Sequence, residues 1–314
     1  METRALRYFQ AVAEFGSYSR AAEFLRISQP AVSRQIRRLE GELGRVLFAR
    51  HGHGVSLTAA GRILFERTQI ALRQLEQTKV EIRGGLAGPS GVIALALPPA
   101  AGHFLAPALI ERFGAEFPRV FLKIMGGFSG HIHEWLVRGQ ADLACIHDPL
   151  PQRGFAITPL VAEEVFLVGP PGSAALARGH ARIAELAELP LVLPSRPNAS
   201  RRLVDGWIAQ RGVSLDVKLE VDDHSVIRAL LRRGIGFSLL TRGAIDDDLR
   251  HGEVRAVPFR PRAYWRLALV TPVEARHSEL RAACASTIRK VTRELVRSGA
   301  WPGRLLDRGE RAPR

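Results

Sequence analysis

The stretch Ser17-Tyr18-Ser19-Arg20-Ala21-Ala22-Glu23-Phe24-Leu25-Arg26-Ile27-Ser28-Gln29-Pro30-Ala31-Val32-Ser33-Arg34-Gln35-Ile36 reads as two short helices joined by a tight turn. Ala21, Ala22 and Leu25 share one face of the first helix, and Val32, Ile36 and Leu39 recur at helical spacing on the second. Small alanines let two helices cross closely, as a helix-turn-helix requires. Ser28 suits an N-cap, and Pro30 is tolerated in the first turn, where its missing N–H costs nothing. The opposite face of the second helix carries Gln29, Ser33, Arg34, Arg37 and Arg38, side chains able to donate to base edges and phosphates. An ordinary amphipathic helix pair with a solvated basic face would show the same pattern, so the flanks decide.

Upstream, Leu6, Phe9, Val12 and Ala13 form a helical stripe behind Thr3, the expected N-cap. Downstream, residues 46–50 and 55–57 read as short strands around His51-Gly52-His53-Gly54, whose glycines permit a tight reversal. Together these predict a winged helix-turn-helix over residues 1–58, with Arg50 and His53 placed to approach a nucleic-acid backbone or minor groove. Thr58 can then cap a long helix reaching about Leu86. Leu64, Ala71, Leu75, Thr78 and Ile82 follow a near-heptad spacing along it, which predicts a dimer seam over residues 59–88. The alternative is a long helix packed on its own domain.

A length of 314 residues allows two or three domains with a sizeable core. The net charge of +14 favours nucleic acid or another polyanion. Up to Ser90 there are 14 Lys and Arg against 8 Asp and Glu, and the remainder carries 31 against 23. Basic charge is therefore spread over the chain and does not locate a site. Cys145 and Cys284 offer neither a disulfide framework nor zinc spacing and fall in apolar runs, as core residues do. With no apolar leader at the N-terminus and no run long enough for a bilayer, the expectation is a cytoplasmic protein without a membrane partner.

Glycine and proline cluster at Gly84-Gly85-Leu86-Ala87-Gly88-Pro89-Ser90-Gly91, where the pattern turns from helical to extended. Beyond it strands and helices alternate: strands at 92–97, 120–125, 141–146, 164–168, 191–193, 218–221 and 236–240, and helices at 103–117, 129–138, 201–211 and 225–233. Such alternation predicts α/β packing on largely parallel sheets. Any ligand site should lie at the carboxyl ends of those strands. Pro99 and Ala100 follow the first strand, and Gly127-Phe128-Ser129-Gly130-His131 opens a helix whose N–H groups and Ser129 hydroxyl suit an anion. Ser195, Arg196 and Asn198 precede another helix, and Asp222 leads into a third. Arg196 suits a carboxylate or sulfate, and a solvated loop arginine is the equal alternative. His131 and His133 read better as surface residues than as ligands, and His224 is ambiguous. The tail to Arg314, rich in Arg, Gly and Pro, is expected to be disordered over residues 301–314.

The first 61 residues resemble the LysR-type transcriptional regulators. The resemblance rests on Leu6-Arg7-Tyr8-Phe9, Gly16-Ser17, Ala21-Ala22, Leu25, Ser28-Gln29-Pro30-Ala31-Val32-Ser33, Ile36, Leu39-Glu40, Leu43-Gly44, Leu47-Phe48, Arg50 and Leu57-Thr58-Ala59-Ala60-Gly61. The remainder matches the family in length and layout through looser motifs. Gln69 to Glu76 and Pro194-Ser195-Arg196-Pro197-Asn198 look nearer the Nac/Cbl nitrogen- and sulfur-control branch. The resemblance implies an α+β chain: the winged helix-turn-helix, a linker helix, and an effector domain over 91–300 like a periplasmic binding protein. Lobe I would take residues 91–162 and 266–300, and lobe II residues 163–265. It further implies that position 129 and the 195–198 loop meet a ligand. This chain departs from many relatives in carrying Pro and Ala, where they carry Ser or Thr, after the first effector-domain strand.

The resulting expectation is a homodimeric or homotetrameric regulator of promoter DNA. Gln29, Ser33 and Arg34 would read base edges, and Ser19, Ser28, Pro30 and Ala31 would complete the contact face. Arg37, Arg38, Arg50 and His53 would meet phosphates or the minor groove. A small, anionic effector closing the lobes would alter promoter bending and recruitment of RNA polymerase. A DNA-binding regulator without an effector, and a small-molecule enzyme, are the rival classes. The sequence has no His-Glu-x-x-His, Walker A loop or Gly-x-Ser-x-Gly elbow, and no cofactor or metal site is expected. Asp246-Asp247-Asp248 reads as a solvated turn.

Overall fold

The computed structural model describes residues 1–52, 54–84, 89–210, 212, 214–273 and 279–307. His53, Leu86 and residues 308–314 of the expected tail lie outside them, as does the side chain of Ile82. The chain forms two compact units, one over Met1–Gly88 with Val137–Gln140 and one over Pro89–Leu136 with Ala141–Arg314.

In the first unit, α1 (Thr3–Phe15), α2 (Tyr18–Leu25) and α3 (Gln29–Leu43) enclose a core in which Phe9, Val12, Ala21, Val32 and Ile36 are fully buried. Gly16 and Gly44, at φ +60° and +62°, end α1 and α3 in the left-handed conformation glycine adopts without strain. Ser17 caps α2, its Oγ accepting from the Arg20 N–H at 3.4 Å. Two expected caps differ. Thr3 is already helical and Glu2 precedes it, with the Glu2 carboxylate 3.3 Å from Arg38. Ser28 holds the N-cap position of α3 through its carbonyl, which accepts from Ala31 at 3.0 Å, while its hydroxyl makes no cap bond.

The wing is the antiparallel pair β1 (Phe48–His51) and β2 (Gly54–Leu57). It is tied to the end of α1 by the Val55 N–H, which donates to the Gly16 carbonyl at 2.9 Å. A Cβ at residue 54 would fall 2.4 Å from that carbonyl oxygen, so this close approach requires glycine. Thr58 caps α4 (Ala59–Gly84), its Oγ1 accepting from the Gly61 N–H at 3.0 Å. In the first half of α4 one expected seam residue also serves the unit's own core. Leu64 packs into the unit's own core beside Phe65 and Leu72, and Thr68 is buried between them. Leu64, Thr68 and Leu72 recur every four residues, and the polar Thr68 hid that stripe from an apolar count. Ala71, Leu75 and Thr78 remain exposed.

The second unit begins with β3 (Gly91–Leu97), parallel to β4 (Val120–Gly126) and β5 (Leu143–His147). The helices α5 (Pro99–Glu116) and α6 (Ser129–Val137) follow β3 and β4. α5 starts before the expected residue 103, because Pro98 and Pro99 serve as N-cap and first helical residue. Then come β6 (Phe155–Gly169), β7 (Leu191–Leu193), α7 (Ala199–Ala209), β8 (Val217–Glu220), α8 (His224–Arg232), β9 (Ser238–Thr241), α9 (Arg242–Arg250), β10 (Arg255–Pro272), α10 (Glu279–Arg297) and β11 (Arg304–Leu305).

The largely parallel sheet expected from alternation is not what forms. Strands run in the order β11-β6-β10-β5-β3-β4, with β9 also on β6, and β10 is antiparallel to both β5 and β6. The long β6–β10 ribbon passes through two cores. One gathers Ile93, Leu105, Leu109, Cys145, Leu269 and Ile288, and the other gathers Val165, Leu191, Val204, Phe237 and Phe259. The ribbon carries Pro159, Pro258 and Pro261, which break the strand pattern in sequence. Its register shifts between Pro258 and Ala263, the irregularity at which a sheet tolerates proline.

The tail expectation is also corrected over residues 301–307. Trp301 is fully buried in the first of those cores, and Arg304 and Leu305 pair with Ala162 and Val161 of β6. Apolar burial of one indole outweighs a local composition rich in Gly and Arg.

Candidate nucleic-acid interface and interlobe cavity

On the first unit, α3 presents Gln29, Pro30, Arg34 and Arg37 to solvent, with Ala31 and Ser33 half-buried at its start. Ser19 and Ser28 are exposed nearby. Arg34, Arg37 and Arg50 form no ion pair among the described residues, so their guanidiniums are not committed elsewhere. Arg38 differs: it faces Glu2 at 3.3 Å and Glu42 at 3.7 Å, which weakens its case as a phosphate contact. Arg37 and Arg50 both act electrostatically on the half-buried Tyr18 phenol, whose pKa burial and Glu40 nevertheless push upward. A helix residue and a wing residue thus put positive charge on one side of the unit. Pro30 and Gly44 bracket the helix that carries these groups.

In the second unit a cavity of about 50 Å³ lies among the starts of α5, α6, α7, α8 and α9 and the end of β5. It has room for a few waters or a ligand of few heavy atoms. Five helices begin on it. Pro99 and Ala100 open α5, Ser129 opens α6, and Asn198 and Ser200 open α7; His224 begins α8, and Thr241 is the N-cap of α9. Asn198 caps α7 and the Asp223 carboxylate caps α8, so the partial positive ends left to favour negative charge are those of α5, α6 and α9, and no Lys or Arg is in the lining. The remaining walls are apolar, among them Phe128, Ile227, Leu239, Leu240 and Trp265.

Of the expected ligand contacts, the cavity gathers Pro99, Ala100, Ser129 and Asn198. The others lie outside its lining. Gly130 is one residue into α6, and His131 is exposed and stacks on Trp135 at 6.3 Å. Ser195 and Asp222 satisfy each other: the Ser195 N–H donates to Asp222 at 2.9 Å, and its hydroxyl donates to the other carboxylate oxygen. Arg196 is 69% exposed and donates to Asp205 at 2.7 Å. That pairing places it as a lobe II surface residue and removes the argument for a carboxylate held by Arg196.

Ser200 closes the loop expected at the site, whereas His147, Thr241 and Trp265 carry no motif in the sequence. The usable signal was position, since His147 ends β5, Ser200 and Thr241 stand at helix N-termini, and Trp265 faces the β5 end. His147 Nε2 lies 2.7 Å from the Glu163 carboxylate, both residues being buried, and its ring packs on Trp265 at 5.9 Å. Burial and the neighbouring Arg228 guanidinium hold the His224 imidazole down to about 4, so it is neutral near pH 7. The buried His224 Nε2, Thr241 Oγ1 and Trp265 Nε1 have no hydrogen-bond partner among the described residues.

The lobes are joined beside the cavity by Arg202, whose Nη2 donates to the Asp148 carbonyl at 3.0 Å, and by the packing of α5 on α9. The three consecutive aspartates diverge. Asp246 is held by Arg242 and Arg250, and Asp248 is buried against Arg228. These carboxylates are matched by guanidiniums, although His103, Asp246 and Asp247 lie close together. Burial pushes the Cys145 and Cys284 thiols up to about 12, which leaves them protonated and poor nucleophiles.

The family model "LysR substrate binding domain" matches residues 86–293, and "Bacterial regulatory helix-turn-helix protein, lysR family" matches residues 3–62. The chain is 32% identical over 305 residues to the HTH-type transcriptional regulator BbuR of Bordetella bronchiseptica, covering 96% of this chain and 94% of that one. It is 32% identical over 248 residues to the nitrogen assimilation regulatory protein nac of Escherichia coli, covering 78% and 79%. Equal identity over a shorter span gives the nitrogen- and sulfur-control branch only weak support. A full-length OxyR variant from Pseudomonas aeruginosa shares the fold at TM-score 0.68 and 24% identity, covering 93% of this chain and 95% of that one. CbnR complexed with its target DNA shares it at TM-score 0.70 and 22% identity, covering 93% and 100%.

Proposed function

This chain belongs to the LysR family of bacterial DNA-binding transcriptional regulators, and from that premise we propose that it binds promoter DNA through α3 and the wing under control of a small anion held between its lobes. The observation that supports this is the pairing of two features. α3 exposes uncommitted arginines in one unit, and five helices begin on one cavity in the other. Gln29, Ser33 and Arg34 read base edges. Arg37 and Arg50 meet phosphates or the minor groove.

The effector is anionic because of helix ends and buried donors, with Arg196 playing no part in its binding. Its binding changes lobe closure, which repositions the DNA-binding units of a dimer or tetramer and alters recruitment of RNA polymerase. The exposed Ala71, Leu75 and Thr78 of α4 supply part of the seam between copies. The protein works as a regulator in the cytoplasm and not as an enzyme; among the described residues no helix is long and apolar enough to cross a membrane.

Footprinting the full-length protein on DNA upstream of its own and neighbouring genes, at near-physiological salt, tests this reading. A protected, roughly palindromic site that survives competitor DNA supports it. Protection that disappears with competitor removes sequence-specific binding at those promoters.

A further inference from the structure

The cavity is lined by buried polar atoms whose needs the protein does not meet. Trp265 is 5% exposed and Thr241 1%, and both the Trp265 indole N–H and the Thr241 hydroxyl lack partners among the described residues. An indole N–H can only donate, so its partner must be an acceptor. Leaving such a donor buried and unpaired is costly, which points to an acceptor-bearing occupant.

His147 stands beside Trp265 at the end of β5. Its Nε2 is committed to Glu163 at 2.7 Å, and its Nδ1 has no partner among the described residues. Glu163 is fixed from behind, because the Trp301 indole N–H donates to its other oxygen at 3.0 Å. All three side chains are buried. A buried carboxylate on Nε2 fixes the ring's orientation and leaves Nδ1 as the atom that meets a ligand. Toward a carboxylate, Nδ1 must carry a proton, and Glu163 balances the resulting imidazolium.

Resting on the effector reading above, we propose that the cavity takes a small carboxylate received by the Trp265 N–H and by protonated His147, with Glu163 and Trp301 as positioning residues. Binding is then strongest where both ring nitrogens of His147 carry protons. The charged or titratable groups around that ring are Glu163 on β6, Cys145 and Asp148 on or next to its own strand, Arg266 on β10 pairing with Asp148, and His224 across the cavity. Asp148 and Arg266 neutralise each other, so Glu163 is the counter-charge that acts on His147. The same chain of contacts ties the C-terminal segment to the cavity.

The test uses full-length protein labelled with 5-fluorotryptophan, acetate as the probe, and chloride as the salt control. Trp265→Phe and Trp301→Phe assign the two fluorine signals. The expected result is a saturable shift of both signals with acetate, tighter at pH 6 than at pH 8. His147→Gln should weaken acetate about tenfold or more and abolish the pH dependence, while His251→Gln, exposed after α9 and outside the lining, retains it. If His147→Gln fails to fold, Glu163→Gln decides: unchanged affinity and pH profile overturn the proposal. Equal acetate affinity in wild type and His147→Gln leaves the cavity as a ligand site but overturns the role of His147. A Trp265 signal that acetate does not move overturns the carboxylate proposal, and the DNA footprint stands or falls independently.

Discussion

Gly243 on α9 meets Ala100 on α5 so closely that a Cβ at residue 243 would fall 2.3 Å from the Ala100 carbonyl oxygen and 2.7 Å from the Phe104 ring. Ala100 and Ala244 pack in one apolar cluster and both line the cavity. The approach of α5 to α9 beside the cavity thus depends on the absence of one methyl group. Gly243→Ala should separate α5 from α9 and cost about 1–3 kcal/mol by overpacking. Urea unfolding reads the cost, and acrylamide quenching of Trp265 reads the opening. A variant with wild-type midpoint and quenching would show that the lobes do not depend on this contact.

Arg34 and Arg50 are both exposed and uncommitted, but they sit on different elements and should fail differently. Arg34→Ala should cost about 1–3 kcal/mol on the preferred site and relax selection at one base position. Arg50→Ala should weaken all sequences alike and lower the salt slope by about 1. Binding titrations over several salt concentrations, with a randomised-site selection, separate the two. An unchanged base preference in Arg34→Ala contradicts its role, as does a sequence-confined loss in Arg50→Ala.

The DNA-binding unit was legible because its signals are local. The Ala21-Ala22 crossing, the Val32-Ile36-Leu39 stripe and the Gly52-to-Gly54 reversal each act within a few residues of one another. The ligand site was legible only in part, since its walls come from residues as far apart as Pro99 and Trp265. Loop position suggested Arg196 and Asp222, yet pairing decides whether a polar group is available. Asp205 takes Arg196 and Ser195 takes Asp222, and neither pairing follows from spacing alone. The antiparallel β6–β10 ribbon escaped for a similar reason: its prolines look like strand breakers until the bulge that accommodates them is seen.

Trp301 shows how far composition can mislead at a chain end. It stacks on Phe104 at 5.7 Å and donates to Glu163 at 3.0 Å, joining α5 and β6 from a segment rich in Gly, Pro and Arg. Trp301→Ala should destabilise the second unit by roughly 3–5 kcal/mol, since it opens a cavity and strips a donor from a buried carboxylate. Trp301→Phe keeps most of the packing and should lose less. The urea midpoints of the two variants check this order, and equal losses would assign the effect to the hydrogen bond alone.

His224 gives the protein a stability that depends on pH with a definite sign. The folded imidazole sits at about 4, below its ordinary 6.5, because burial and Arg228 disfavour the charged form. Between those values the unfolded chain holds a proton that the folded chain lacks, so stability falls as pH drops from about 6.5 toward 4. The contribution is fully present above 6.5. Taking the wild type from pH 7.5 to pH 5 should remove on the order of 2 kcal/mol through this group. His224→Gln should flatten that part of the profile, so the comparison is between the two slopes at fixed ionic strength. Equal slopes in wild type and His224→Gln would mean that His224 takes up its proton in the folded state, and the neutral wall it gives the cavity would be lost with it.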